Sequence, residues 1–433
     1  MDYNEALEFL EGHYSLELNP ATRQTAPDLT RMWDLVAGLG DVHEGIPTIH
    51  ITGTNGKGST SRLAIDLVAA HGLHVGGYSS PHLERVNERI TSNGEPISDE
   101  DFAQAVSEVA MIEPLFLDRW DRPATYFEAM AAAALSWMAG AAVDVRVVEV
   151  GMGGRWDATN VVDADVAVIT NVGADHVQTL GPTLADIARE KSGIITPLST
   201  AVLGEIDDEL MPVIEEMPAG RVARLGHDIR LVSNELAIGG RLITVSTSRA
   251  TYDDVFVSLH GAHQGVNAAV ALAAVEEFFD RPIDDELVRE VFGQASVPGR
   301  MEVVGRGPLT VVDGAHNVPA AEVAATTLAQ DFDTDGGLVL VVGFNTPRDP
   351  VEMLRALGAT RASAIVATQP DWARRLPADE VAAAATALGC DKVVWEPDVA
   401  RAVDRGRALA GEDGVVLVSG SLYIVGPARA HLR

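Results

Sequence analysis

Residues 51–60 read ITGTNGKGST, and the fold follows from them. A short β-branched run, Thr48-Ile49-His50, precedes the stretch, and Leu63, Leu67 and Val68 recur at helical spacing over 62–71 before a stop at Gly72. The order is strand, glycine loop, helix. Gly53, Gly56 and Gly58 let backbone N–H groups approach an anion, the helix N-terminus adds partial positive charge, and Lys57 adds a full one. Such a loop cradles phosphates. Its spacing is not the strict Walker one, because Gly58 separates Lys57 from Ser59 and Thr60.

Outward from the loop, strands and helices alternate. A strand over 74–80 ends in Ser79-Ser80-Pro81, Ser98 and Asp101 cap a helix, and 83–96 between them reads as a loop. A helix over 125–142, strands over 145–150 and 166–172, and a helix over 183–192 follow, after short helices at 2–11 and 26–39. This predicts a mostly parallel sheet with helices on both faces. Residues 229–258 break the pattern and read as an antiparallel hairpin around Gly239-Gly240, followed by a helix over 266–278. Alternation resumes after Val297-Pro298-Gly299, with strands over 310–313, 338–342, 363–368, 392–395 and 415–419. The expectation is α/β throughout: a phosphate-binding domain over 1–296 with a small antiparallel sheet, and a Rossmann-like domain over 297–433.

The chain has 433 residues and a formal charge of −31, which argues against nucleic acid or anionic membranes as partners. Lysine occurs only at 57, 191 and 392, arginine supplying the other basic positions. A chain that otherwise uses arginine but keeps lysine in a phosphate loop needs a compact ammonium there, and the same logic singles out Lys191. Cys390 is the only cysteine, so no intrachain disulfide or thiolate metal site is expected. The N-terminus does not resemble a signal peptide, and the alanine-rich run at 129–143 is short of the about 20 residues that span a bilayer. A cytoplasmic enzyme is expected.

Ser80, Glu149 and Asp175-His176 lie beyond apolar runs, at the carboxyl ends of the predicted strands, where open α/β sheets place ligands. Alone, Glu149 reads as a carboxylate paired with an arginine and His176 as a turn histidine. Beside a phosphate loop, a hydroxyl, a carboxylate and an imidazole read as magnesium ligands, with phosphate oxygens completing the shell.

The chain resembles folylpolyglutamate and dihydrofolate synthases of the Mur ligase superfamily. The resemblance rests on GTNGKGST at 53–60, SSPHL at 79–83, VNERI at 86–90, TYFE at 125–128, EVGMGGRWDATNVV at 149–162, ITNVGADH at 169–176, EKSGII at 190–195, HQGVNAA at 263–269, PGR at 298–300, DGAHN at 313–317 and SGSLYIVG at 419–426. It implies an ATP-dependent ligase that joins L-glutamate to dihydropteroate or to folates through an acyl phosphate, as a monomer. A Mur-type ligase joining another amino acid to another carboxylate is the alternative.

By position, it implies that Gly53, Thr54, Asn55, Gly56, Lys57, Gly58, Ser59 and Thr60 bind ATP phosphates. Asn267, Arg300, Asp313 and His316 would contact the nucleotide, and Gln264 would help hold that site. Ser80 and Glu149 would hold one Mg²⁺, and Glu149 with His176 a second. Lys191 matches a lysine that is commonly carbamylated; with Lys57 and His176 it forms the expected catalytic set. Residues 154–162 match a mobile loop near the cleft, and 80–89 a region tied to pterin binding. Arg348 stands where relatives often carry lysine.

Overall fold

The computed structural model describes residues 1–15, 29–120 and 122–433. Its strands are β1 (Thr48–Thr52), β2 (Val75–Tyr78), β3 (Ile90–Ser92), β4 (Glu95–Pro96), β5 (Val145–Glu149), β6 (Val166–Asn171), β7 (Thr200–Glu205), β8 (Arg221–Arg224), β9 (Arg230–Ala237), β10 (Gly240–Ser246), β11 (Thr251–Val257), β12 (Glu302–Gly305), β13 (Leu309–Asp313), β14 (Leu338–Val342), β15 (Ala364–Ala367), β16 (Val393–Trp395) and β17 (Val415–Ser419). The chain divides into two compact units, Met1–Ser233 with Ile243–Val255 and Val266–Ala295, and Asn234–Leu242 with Phe256–Gly265 and Ser296–Arg433.

The first unit is built on a sheet of order β4-β3-β2-β5-β1-β6-β7-β8. β1 lies between β5 and β6, parallel to both, with Ile49 opposite Val147 on one side and Val166 on the other. Every residue of β1 and β5 is buried, as a parallel sheet covered on both faces requires. Helix Lys57–Ala69 packs Leu63, Ala64, Leu67 and Val68 into the core. Each large aliphatic side chain so buried contributes on the order of 2 kcal/mol. Helix Tyr126–Gly140 starts in a capping box, the Thr125 hydroxyl accepting from Glu128 N and the Glu128 carboxylate from Thr125 N.

A three-stranded sheet, β11-β10-β9, follows the chain order through short turns, so its neighbours are antiparallel. The second unit carries a sheet of order β12-β13-β17-β14-β15-β16, parallel except for β12 against β13. Its core joins Val311, Leu340, Ile365 and Leu417 to alanine-rich helix faces. The α/β architecture and the small antiparallel sheet are those expected from the alternation pattern.

Several elements correct the sequence reading. The span 83–96 is not all loop: it holds a 3₁₀ turn at Val86–Arg89 and the antiparallel pair β3–β4. Asn93 and Gly94, at φ 50° and 81°, form the two-residue turn that joins that pair, an Asn-Gly hairpin signal. β7 and β8 extend the sheet beyond β6, where polar residues and a proline interrupt the apolar run. Helix Asp285–Gly293, strand β12 and helix Leu422–Leu432 were also not anticipated; Pro427 inside the last helix weakens its pattern. The helix expected over 26–39 appears as Leu29–Gly38, residues 26–28 lying outside the described residues.

Candidate active site

β1 ends at the phosphate loop, and two of the loop's glycines are required by close approach. A Cβ on Gly53 would lie 1.8 Å from Thr170 Oγ1. Gly56 has φ 83°, and a Cβ there would lie 2.5 Å from Asn267 Oδ1. Gly56 caps helix Lys57–Ala69 and, as glycine, brings no side chain of its own to the helix's first N–H groups. The loop is fixed from β6. Asn171 Oδ1 accepts from Thr54 N and Asn55 N at 3.1 and 2.9 Å, and Thr170 Oγ1 donates to Asn55 O at 2.6 Å. Lys57 Nζ folds back to donate to Gly53 O at 3.0 Å.

The strand order β2-β5-β1-β6 sets side by side the residues read as ligands. Ser80 follows β2, Glu149 ends β5, and Asp175-His176 follow β6, all at carboxyl ends of parallel strands. Glu149 is buried, and a Cβ on Gly58 would lie 3.6 Å from its Oε2, so the carboxylate abuts the loop backbone. Asp175 is buried and its Oδ1 accepts from His176 N at 2.8 Å. His176 sits in the left-handed region at φ 49° with its imidazole half exposed. Among the described residues no three His, Cys, Asp or Glu side chains gather as a metal cage, and no helix is long and apolar enough to cross a membrane.

Lys191 is buried at the end of helix Leu184–Ser192. Burial first, and then the charge of Lys57, hold its ammonium well below the usual lysine range, while Asp175 and Asp157 oppose the shift. The charge of one lysine singled out by composition therefore reaches the other. The segment matched to a mobile loop is tied to this helix end. Arg155 N donates to Glu190 O at 2.8 Å, and Asn160 Nδ2 to Gly193 O at 3.1 Å. Asp157, enclosed there, is pushed above the usual carboxylate range by burial, against hydrogen bonds from Thr159 and backbone N–H groups.

In the second unit Asp313 ends β13 and accepts from Met301 N and Ala315 N, each at 2.9 Å. Burial raises its pKa, and the Arg300 charge works against that. His316 Nδ1 donates to Gly314 O at 3.1 Å. The structure thus gathers Arg300, Asp313 and His316 in this unit, and Lys57, Glu149, Lys191 and Asn267 in the first. Beyond β14 and β15, Thr346 N donates to Arg374 O at 2.8 Å and Arg374 donates back to Thr346 O at 2.6 Å. Burial, followed by the charge of Arg348, lowers the Arg374 pKa, so two guanidiniums share this loop pair. Trp372 stacks on Tyr423 with ring centroids 4.2 Å apart. Arg374, Trp372, Thr170 and Asn171 were not singled out from sequence; polar residues where apolar strands end were the available signal for the last two.

Residues 51–275 match the family described as Mur ligase middle domain, and 299–422 the one described as Mur ligase, glutamate ligase domain. Fold and site define a Mur-type ligase. The chain is 37% identical to the dihydrofolate synthase/folylpolyglutamate synthase of Mycobacterium tuberculosis, over 95% of this chain and 91% of that protein. It is 36% identical, over 99% of its length, to the probable bifunctional folylpolyglutamate synthase/dihydropteroate synthase of Haloferax volcanii, of which it spans 50%. A solved structure of Mycobacterium tuberculosis folylpolyglutamate synthase complexed with ADP matches with a TM-score of 0.91 at 35% identity, covering 99% of this chain and 98% of that one. The chain belongs to the dihydrofolate synthase/folylpolyglutamate synthase family.

Proposed function

We propose that this ligase adds L-glutamate to dihydropteroate, to folate polyglutamates, or to both, at the expense of ATP, working as a cytoplasmic monomer with neither nucleic acid nor membrane as partner. The observation that carries the reading is the phosphate loop with Lys57 beside Glu149 on neighbouring strand ends, in a chain of this family. The substrate carboxylate attacks the γ-phosphate, ADP leaves, and an acyl phosphate forms. The glutamate amine then displaces phosphate through a tetrahedral intermediate. Positioning and charge neutralisation dominate such phosphoryl transfer.

The loop N–H groups of residues 53–60 and the Lys57 ammonium hold the phosphates and offset their growing charge. Asn267 backs the loop at Gly56, and Arg300, Asp313 and His316 are the further residues assigned to nucleotide binding. Ser80, Glu149 and His176, a hydroxyl, a carboxylate and an imidazole at the carboxyl ends of neighbouring strands around the loop, are the donors that would hold two magnesium ions. Magnesium held by these residues would supply positive charge that offsets the charge of the phosphates. Lowering the Lys191 pKa favours the neutral amine, the form that adds carbon dioxide, and so favours its carbamate. Arg348 and Arg374 supply cations for the carboxylates of glutamate.

Phosphate release from ATP tests the reaction. It should require dihydropteroate or a folate together with glutamate, and hydroxylamine in place of glutamate should trap a hydroxamate. Release that ignores the carboxylate substrate would overturn the reading.

A further inference from the structure

The strand that launches the phosphate loop also carries three polar side chains on one face, Thr48, His50 and Thr52. His50 and Thr52 are two residues apart in β1 and therefore project to the same side of the sheet. Both reach the segment 151–161. Thr52 Oγ1 donates to Gly153 O at 2.6 Å, and His50 Nε2 lies 2.9 Å from Thr159 Oγ1. The proton positions follow from chemistry. Asp157 already accepts from Met152 N on Oδ2 and from Thr159 N on Oδ1, and Thr159 Oγ1 donates its hydroxyl proton to the same Oδ1 at 2.6 Å. Thr159 can then only accept from His50, which carries its proton on Nε2. Among the described residues, buried His50 Nδ1 then has no donor to accept from.

His50 is fully enclosed, and burial, followed by the charge of Arg146, lowers its pKa to about 3, so the imidazole is neutral. An apolar side chain would fill this position without an orphaned acceptor, so stability does not explain the histidine. What it touches does. Asp157 Oδ2 accepts from Met152 N at 2.9 Å, which closes the 151–157 turn. The turn rests on the helix end that bears Lys191: a Cβ on Gly154 would lie 2.8 Å from Glu190 O and 2.9 Å from Lys191 O.

We propose that His50 is a positioning residue for the ligase reaction: through Thr159 and Asp157 it fixes segment 151–161, and with it Lys191, relative to the phosphate loop. β1 then places both lysines, Lys57 from its end and Lys191 from its side. This rests on the ligase reading, in which the two lysines serve the same phosphoryl transfer.

The test uses the full chain and four single variants. His50→Leu keeps bulk and removes the donor. His50→Gln places an amide nitrogen near the position of Nε2, whereas His50→Asn places it one bond short. Thr159→Val breaks the chain of bonds from the other side. His50→Gln should keep kcat within twofold of wild type. The other three should lose about tenfold or more in kcat, with KM for ATP nearly unchanged. The melting temperature of His50→Leu should be at or above that of wild type, and the His50→Leu/Thr159→Val double variant no slower than either single. Hydrogen exchange at 184–193 should speed up in His50→Leu and not in His50→Gln. The proposal is overturned if His50→Leu keeps wild-type kcat and exchange, or if Gln and Leu variants lose equally. Should His50→Leu not fold, wild-type kcat in Thr159→Val overturns it. A wild type that releases no phosphate would strike the ligase reading instead, and the exchange result would then decide the positioning role alone.

Discussion

Acidification should erode the stability of the wild type faster than that of His50→Gln. In the folded chain His50 titrates at about 3, and in the unfolded chain near its ordinary 6.5. Its folded value is depressed, so below pH 6.5 the unfolded state binds a proton that the folded state refuses, and stability falls with pH. At pH 7 both states are almost wholly neutral and the term is negligible. At pH 5 the unfolded histidine is protonated and the folded one is not, a gap of about 1.5 pH units at 1.36 kcal/mol each, or about 2 kcal/mol. Because pH 5 lies above the folded value, this figure is set by the unfolded histidine. Glutamine does not titrate, and groups common to both chains cancel in the difference. Urea unfolding followed by tryptophan fluorescence measures it, with Trp372→Phe and Trp395→Phe confining the signal to the first unit. The wild type should lose about 2 kcal/mol relative to His50→Gln between pH 7 and pH 5. Parallel stability curves would mean that His50 titrates normally, and the neutral donor to Thr159 would have to be abandoned.

Gly56→Ala should cost about 1–2 kcal/mol for a side chain at φ 83° and should weaken nucleotide binding as well, since the new Cβ would lie 2.5 Å from Asn267 Oδ1. Unchanged calorimetric titration with ADP would contradict that geometry. Lys191→Ala should cut kcat about a hundredfold and recover in part with added acetate or formate, a small carboxylate replacing the carbamate; loss of activity without rescue would argue for an unmodified lysine. Arg374→Ala should raise KM for glutamate about tenfold with KM for ATP unchanged, measured by steady-state kinetics, and an unaltered KM for glutamate would remove Arg374 from that role.

The phosphate loop was legible because strand, glycines, lysine and helix are contiguous, and local sequence fixes such a unit. Glu149 and Asp175-His176 could be placed because apolar runs announce buried parallel strands and ligands gather where those runs end. β7 and β8 were not legible, since their positions depend on pairing with β6 and with each other rather than on strong local patterns. The β3–β4 hairpin was overlooked although Asn93-Gly94 signalled it; the polar flanks outweighed the turn. His50 was the least visible. In sequence it is one residue of a β-branched run, and its use emerges only when Thr159, 109 positions along the chain, closes on it. The effect of Lys57 on Lys191 was half legible: scarcity singled out both lysines, but folding was needed to bring the Lys57 charge to bear on Lys191.

Mass spectrometry of the products from dihydropteroate and from tetrahydrofolate, each with ATP, magnesium and L-glutamate, tests the central claim most directly. The account predicts a mass gain of one glutamyl residue on at least one of the two, with one ADP and one phosphate formed per residue added, and loss of the product in Lys57→Ala. Failure of both substrates to gain glutamate, or undiminished product from Lys57→Ala, would contradict it.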